Sequence, residues 1–246
     1  MPILTWKFCV QEGRPYPKFP GMYRGVFAQA GSVAPITAIQ MAINGVFEGL
    51  ITQGQREMND AETIGCAMAA GATSALLYGP VDLITIHQQK LSLSPGGTMA
   101  HISKTYGVQT LWRGLFPTAL REAIYTSGYL GLAPVFTKRL MQQPGWEESY
   151  WSSAVLGSCA AGVIANLASH PVDTAKTVFQ ADIAGATYTG FWSTLSKLYA
   201  QNGLRSLYLG GLPRVIRGCG AFFIVSSLRE HSTQTKTEFG TPWRLY

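Results

Sequence analysis

Two long uncharged runs in this chain end on the same tripeptide. Residues 63–81 and 149–172 hold 19 and 24 residues without Asp, Glu, Lys or Arg, and they carry Pro80-Val81-Asp82 and Pro171-Val172-Asp173 at their ends. Crossing a bilayer takes about 20 mainly apolar residues, so both runs are long enough. Both are studded with Gly, Ala and Ser ("IGCAMAAGATSALLYG", "VLGSCAAGVIANLASH"). Small residues let helix backbones approach where lipid supplies no hydrophobic drive. A third uncharged run, residues 26–47, has 22 residues. Two shorter ones, 123–137 and 218–228, are flanked by Arg121, Glu122, Lys138, Arg139, Arg217 and Arg229. Those charges must face a cavity or snorkel to the interface. Five membrane helices are therefore expected, near residues 22–50, 61–90, 115–141, 149–181 and 211–232. Only 13% of the chain is charged, against about 25% in a soluble domain.

The tripeptides belong to a repeat. Pro80 and Pro171 stand 91 residues apart, and Ala-Gly precedes each by nine (Ala70-Gly71, Ala161-Gly162). Downstream, "LWRGLFPTALREAIY" (111–125) matches "LYLGGLPRVIRGCGA" (207–221), aligning Gly114 with Gly210, Pro117 with Pro213 and Arg121 with Arg217. "MYRGVFAQAGSVAPITAIQ" (22–40) matches this second half-unit alone. The expected organisation is a polar, Pro-rich arm (1–21), the second half of repeat 1 (22–60), repeat 2 (61–148), repeat 3 (149–235) and a tail (236–246).

With Pro171, Asp173, Lys176 and Gln180, and in part Pro80, Asp82 and Gln89, the chain resembles the mitochondrial carrier family. That family's signature is Pro-X-Asp/Glu-X-X-Lys/Arg, with a Gln and later an aromatic-X-Gly such as Tyr188-Thr189-Gly190. The resemblance covers about residues 21–235. It implies an all-α membrane protein, a bundle of carrier-like repeats with about five transmembrane helices and short amphipathic helices on the matrix side, at 91–111 and 182–206. It also implies a multi-pass place in the mitochondrial inner membrane. In the family, acids and bases of three such motifs pair in a ring that closes the matrix side.

Three departures follow. The first helix of the usual six has no counterpart before Met22. Thr85 stands where the second motif needs its base, so the ring shrinks to Asp82, Asp173 and Lys176. The opposite gate, counted ten and thirteen residues on from the Pro35 position of each unit, falls on Gly45 and Glu48, Pro134 and Thr137, Glu230 and Thr233, which leaves Glu230 as the one acid in place and no base. The family's substrate contacts lie seven residues past the motif glycine, here Ser32, Arg121 with Glu122, and Arg217. An Arg–acid pair of this kind holds a carboxylate and an amine together, and intramembrane charges carry function by default.

The four cysteines are scattered, His87 and His170 have no second ligand at helical spacing, and the charge of +6 comes without a Lys/Arg-dense run. Neither a metal site nor a nucleic-acid surface is expected. No nucleophile–base set or phosphate loop points to an enzyme, and no cofactor is implied. Most of the six tryptophans fall near span ends, which suits an interfacial belt. Two functions remain. The lost first helix and the broken gates point to a transport-incompetent, carrier-derived accessory subunit of a respiratory-chain complex or ATP synthase, with membrane lipids such as cardiolipin and neighbouring subunits as partners. Arg121, Glu122 and Arg217 point instead to a transporter exchanging an amino acid or another small carboxylate.

Overall fold

In the computed structural model, the described residues are 26–53, 56, 58–91, 93–146, 150–212 and 214–221, with 5–6, 9–11, 15, 19 and 23. The order is α1 (Val26–Thr52), α2 (Asp60–Leu91), α3 (Pro95–Tyr106), a 3-10 turn (Val108–Trp112), α4 (Leu115–Thr126), a π turn (Ser127–Leu132), α5 (Ala133–Met141), α6 (Tyr150–Ala181), α7 (Phe191–Asn202) and α8 (Leu204–Leu207). Residues 214–221 are helical. The described fold is all-α. Each of the five expected spans falls on a helical stretch, the last described only as far as residue 221. Two helices, Asp60–Gln88 and Tyr150–Ala181, have both the length and the apolarity to cross a bilayer.

These long helices bury their polar faces. On α6, Ser158, Asn166, Ser169, His170, Asp173, Lys176 and Gln180 are buried, while Val155, Leu156, Ile164 and Leu167 are exposed. An apolar exterior around a polar interior suits a helix whose outer solvent is lipid. Small residues set the spacing. A Cβ on Gly71 of α2 would lie 2.5 Å from the Glu122 carbonyl oxygen of α4, and one on Gly157 of α6 would lie 2.8 Å from Thr137 Oγ1 of α5. Between these seams sits a core of Ala67, Tyr129, Leu130, Ala133, Ala161 and Ala165.

The expected span at 115–141 is interrupted. Proline at the start of α5 has no N–H for the ladder, and the preceding turn widens into π geometry. Such bulges turn side chains out of the regular helical register, and this one leaves Tyr129 buried in the bundle.

The short helices pin the ends of the spans. Ser94 Oγ caps α3 by accepting from Gly97 N–H at 3.1 Å, with Pro95 in the first turn, a favourable start. Ile102 of α3 packs with Leu83 and Leu111. Phe191 and Leu198 of α7 pack with Ala175 and Leu207.

The motif residues knit repeats 2 and 3. Gly114 has φ +81°, the left-handed region that glycine favours. Its bare Cα lies under Gln180, whose Nε2 donates to the Arg113 carbonyl at 2.9 Å. His87 Nε2 bonds the Gln180 carbonyl at 3.0 Å, and Lys90 donates to the Ala181 carbonyl at 2.8 Å. His170 Nε2 bonds the Leu209 carbonyl at 3.1 Å. Both histidines thus sit at polar junctions between helices.

Candidate functional site

The two prolines lie inside α2 and α6 and bring Asp82 and Asp173 to one buried cluster. Lys176 pairs with Asp82. Arg121 of α4 donates from Nη2 to Asp82 at 2.9 Å, pairs with its neighbour Glu122, and lies 3.8 Å from Asp173. Arg214 lies 2.5 Å from Asp173. Its fork also donates to Asn166 Oδ1 at 3.2 Å and Ser169 Oγ at 2.6 Å. Among the described residues, three acids and three bases therefore meet in one cluster, with every side chain no more than 16% exposed. Charges this deep persist only when paired and hydrogen-bonded.

The expectation of a depleted ring is corrected here. Counted along the motif, bases are lost. In space, Arg121 and Arg214 supply them from the partner helices of each repeat. Thr85 is fully buried, and its hydroxyl donates to the Val81 carbonyl at 2.8 Å. That bond lies inside its own helix, and Thr85 takes no part in the ion pairs.

A neutral polar group adjoins Glu122. Gln40 of α1 donates to Ser74 Oγ at 2.7 Å and to Glu122 Oε2 at 3.2 Å, and accepts from the Tyr129 hydroxyl. Arg121 also stands 5.9 Å from the Tyr78 ring centroid, within cation–π range. Its Nε has no hydrogen-bond partner among the described residues. One buried donor is left for an incoming acceptor.

Of the expected contacts, Arg121 and Glu122 are at the centre. Arg217 is half-buried one turn beyond Arg214. Ser32 lies on α1, but its side chain, like that of Gln89, is outside the described residues, and so is Glu230. On the side of the opposite gate, Thr137 is buried, and its hydroxyl is spent on the Ala133 carbonyl at 2.9 Å. Sequence reasoning passed over Arg214, Gln40 and Tyr129. Arg214 had a signal: it is an intramembrane cation one turn before Arg217, and such charges mark functional pathways. Gln40 and Tyr129 had none, since their pairing depends on how α1 meets the π turn. No group of three or more His, Cys, Asp or Glu suited to a metal occurs among the described residues.

Beyond the cluster, Asp182 closes the loop after α6. It accepts from the N–H groups of Ala186, Thr187 and Tyr188 at 3.2, 2.7 and 2.7 Å. Partial burial alone would raise its pKa, but these amides and the nearby Arg113 outweigh that and hold the carboxyl below its usual range. Arg113 also donates to the Tyr188 carbonyl at 2.9 Å.

An all-helical bundle of repeats, apolar outside and closed around buried ion pairs, defines a multi-pass membrane protein. A sequence profile described as mitochondrial carrier protein matches residues 56–144 and 147–238, and the chain belongs to that family. It is a multi-pass protein of the mitochondrial inner membrane, as the family is. Similar proteins include a probable mitochondrial 2-oxodicarboxylate carrier of Dictyostelium discoideum, 27% identical over 83% of this chain and 71% of the relative. A glutamate/glycine mitochondrial carrier of Schizosaccharomyces pombe is 29% identical over 66% and 59%. Mitochondrial glutamate carrier 2 of Mus musculus is 27% identical over 88% and 75%.

Proposed function

We propose that this chain is a solute carrier that exchanges small carboxylates, acidic amino acids foremost, across the inner membrane. The observation that carries the reading is the buried Arg121–Glu122 pair at the heart of the cluster, with Arg121 Nε left without a hydrogen-bond partner among the described residues. A guanidinium can hold a carboxylate by two parallel bonds, and the adjacent carboxylate can take an ammonium. Among the described residues the cluster sets three acids against three bases, with Arg217 beside it, a mixed lining that suits a solute carrying both carboxylates and an ammonium. Relatives named for 2-oxodicarboxylate, glutamate and glycine support the same chemistry.

The accessory-subunit role rested on a missing first helix and on gates read as broken. The pairing of Asp82 and Asp173 with three cations weakens the part of that argument drawn from the matrix-side ring, and the relatives above, named as carriers, support transport instead. The test is exchange of labelled glutamate and 2-oxoglutarate by the full chain in liposomes. Arg121→Ala is expected to lower the rate at least 100-fold, and Arg217→Ala to raise KM about tenfold for the doubly carboxylated solutes, the loss of one charge-assisted contact. Absence of exchange for both solutes would sink the reading.

A further inference from the structure

Glu122 has a second partner that lies outside the ion pairs. Its Oε1 pairs with Arg121, while its Oε2 accepts from Gln40 Nε2 at 3.2 Å. Gln40 comes from α1 and is 2% exposed. Its neighbours fix which way its amide points. Ser74 Oγ donates its single proton to the Gly71 carbonyl at 2.7 Å, so towards Gln40 it is an acceptor, and Gln40 Nε2 lies 2.7 Å from it. The other amide proton serves Glu122. The carbonyl end, Oε1, accepts from the hydroxyl of Tyr129, which belongs to the π turn. Donation therefore runs one way, from Tyr129 to Gln40 to Glu122, and Ser74 keeps the amide from turning over.

This relay fixes what Glu122 can offer a solute. A carboxylate accepts at about four lone-pair positions. Among the described residues, Arg121 and Gln40 each donate to one of its oxygens. The positions left are acceptors, held in place beside a cation. An ammonium suits them, because it has donors and no lone pair. A ketone oxygen does not, because it is an acceptor with no proton to give. A site built to bond one polar group rejects the analogue that lacks it. Glutamate and 2-oxoglutarate carry the same two carboxylates and differ only at this group, so contacts to the carboxylates cannot separate them. We propose that Gln40 is a positioning residue that sets selectivity for an amino acid over the matching 2-oxo acid, by holding Glu122 as the acceptor for the solute's ammonium. This rests on the reading of Arg121 and Glu122 as substrate contacts and narrows it to one substrate class. Ser74 and Tyr129 take part by fixing the amide.

Equilibrium binding of labelled glutamate and 2-oxoglutarate to the purified full chain in lipid nanodiscs tests this. The quantity read is the ratio of the two Kd values, in which any change at the shared carboxylates cancels. The wild type is expected to prefer glutamate at least about tenfold. Gln40→Leu should weaken glutamate binding about tenfold and move 2-oxoglutarate by less than about twofold, so the preference collapses. Tyr129→Phe keeps the ring and the core volume but frees the amide to turn. It should lower the preference about threefold, and it carries the test if Gln40→Leu does not fold. Glu122→Gln, whose amide can donate to a ketone, should abolish the preference. A purely structural role for Gln40 would weaken both solutes by the same factor, and that result in Gln40→Leu or Tyr129→Phe would overturn the proposal. A wild type that binds both solutes equally would also overturn it, while leaving the carboxylate reading of Arg121 standing. If the wild type binds neither solute, that reading fails and this inference with it.

Discussion

Replacing Gly71 by alanine pushes a methyl group into the backbone of α4. The new carbon would lie 2.5 Å from the Glu122 carbonyl oxygen, 2.8 Å from its carbon and 2.7 Å from Thr126 Oγ1. A comfortable C···O separation begins near about 3.3 Å, so α4 must retreat by roughly 0.8 Å. Two of the three close atoms are backbone and cannot rotate away. Overpacking of this kind costs about 1–3 kcal/mol, and each kcal/mol shifts Tm by about 2–4 °C in a chain of this size. The consequence reaches the site, because α4 carries Arg121 and Glu122. A bond of 2.9 Å from Arg121 to Asp82 stretched by that retreat passes roughly 3.6 Å, where a hydrogen bond is lost. Gly71→Ala should therefore melt several degrees lower and bind glutamate more weakly. Gly65, on the same helix, has nothing within 4 Å of its would-be Cβ. Gly65→Ala should match or exceed wild-type stability, since alanine is the better helix former by about 1 kcal/mol. Thermal unfolding in detergent, followed by a dye that reacts with the buried thiols of Cys9 and Cys66, separates the two. Equal melting of both variants would refute the close α2–α4 seam.

Three further outcomes are expected. Gln180→Ala removes the bond to the Arg113 carbonyl and leaves a gap under Gly114, at a cost of about 1–3 kcal/mol, read as a lower Tm and faster proteolysis after Arg113. Tyr129→Phe keeps the ring but strands the Gln40 carbonyl, for about 1–3 kcal/mol; a melting point equal to wild type would mean that this bond is not made. Asp182 has a lowered pKa in the folded chain, so its contribution is complete above the unfolded carboxyl value of about 4 and is lost as pH falls through the lower folded one. Amides 186–188 should be protected from hydrogen exchange at neutral pH, lose protection in acid, and lack it at all pH values in Asp182→Ala.

The spans and the repeat were legible because both are properties of order along the chain. Uncharged length marks α2 and α6, and the spacing of 91 residues marks Pro80 and Pro171 as equivalents. Arg121 and Glu122 could be singled out because charges inside an apolar window are costly. The π turn was not legible, since Pro134 acts on the turn before it and the periodicity of an unbroken helix runs through the same residues. Gln40 is an amide on a helix that sequence describes only as apolar. Nothing local says that it will meet Ser74, Glu122 and the Tyr129 hydroxyl.

The misreading of the ring has a more general cause. A motif count treats charge as belonging to positions, so Thr85 registers as a loss. Folding treats charge as belonging to a volume. Within the volume around Asp82 and Asp173, desolvation penalises any imbalance, and a cation from any helix that reaches it will serve. Arg121 and Arg214 reach it from the second helix of each repeat, where the family places substrate contacts. Moving gate cations onto substrate-contact helices does not leave the mechanism unchanged. A ring made only from its own motif can close without reference to what is bound. Here Arg121 holds Asp82 and Glu122 at once, so the carboxylate that the proposed transport would bring to Arg121 competes with acids of its own cluster.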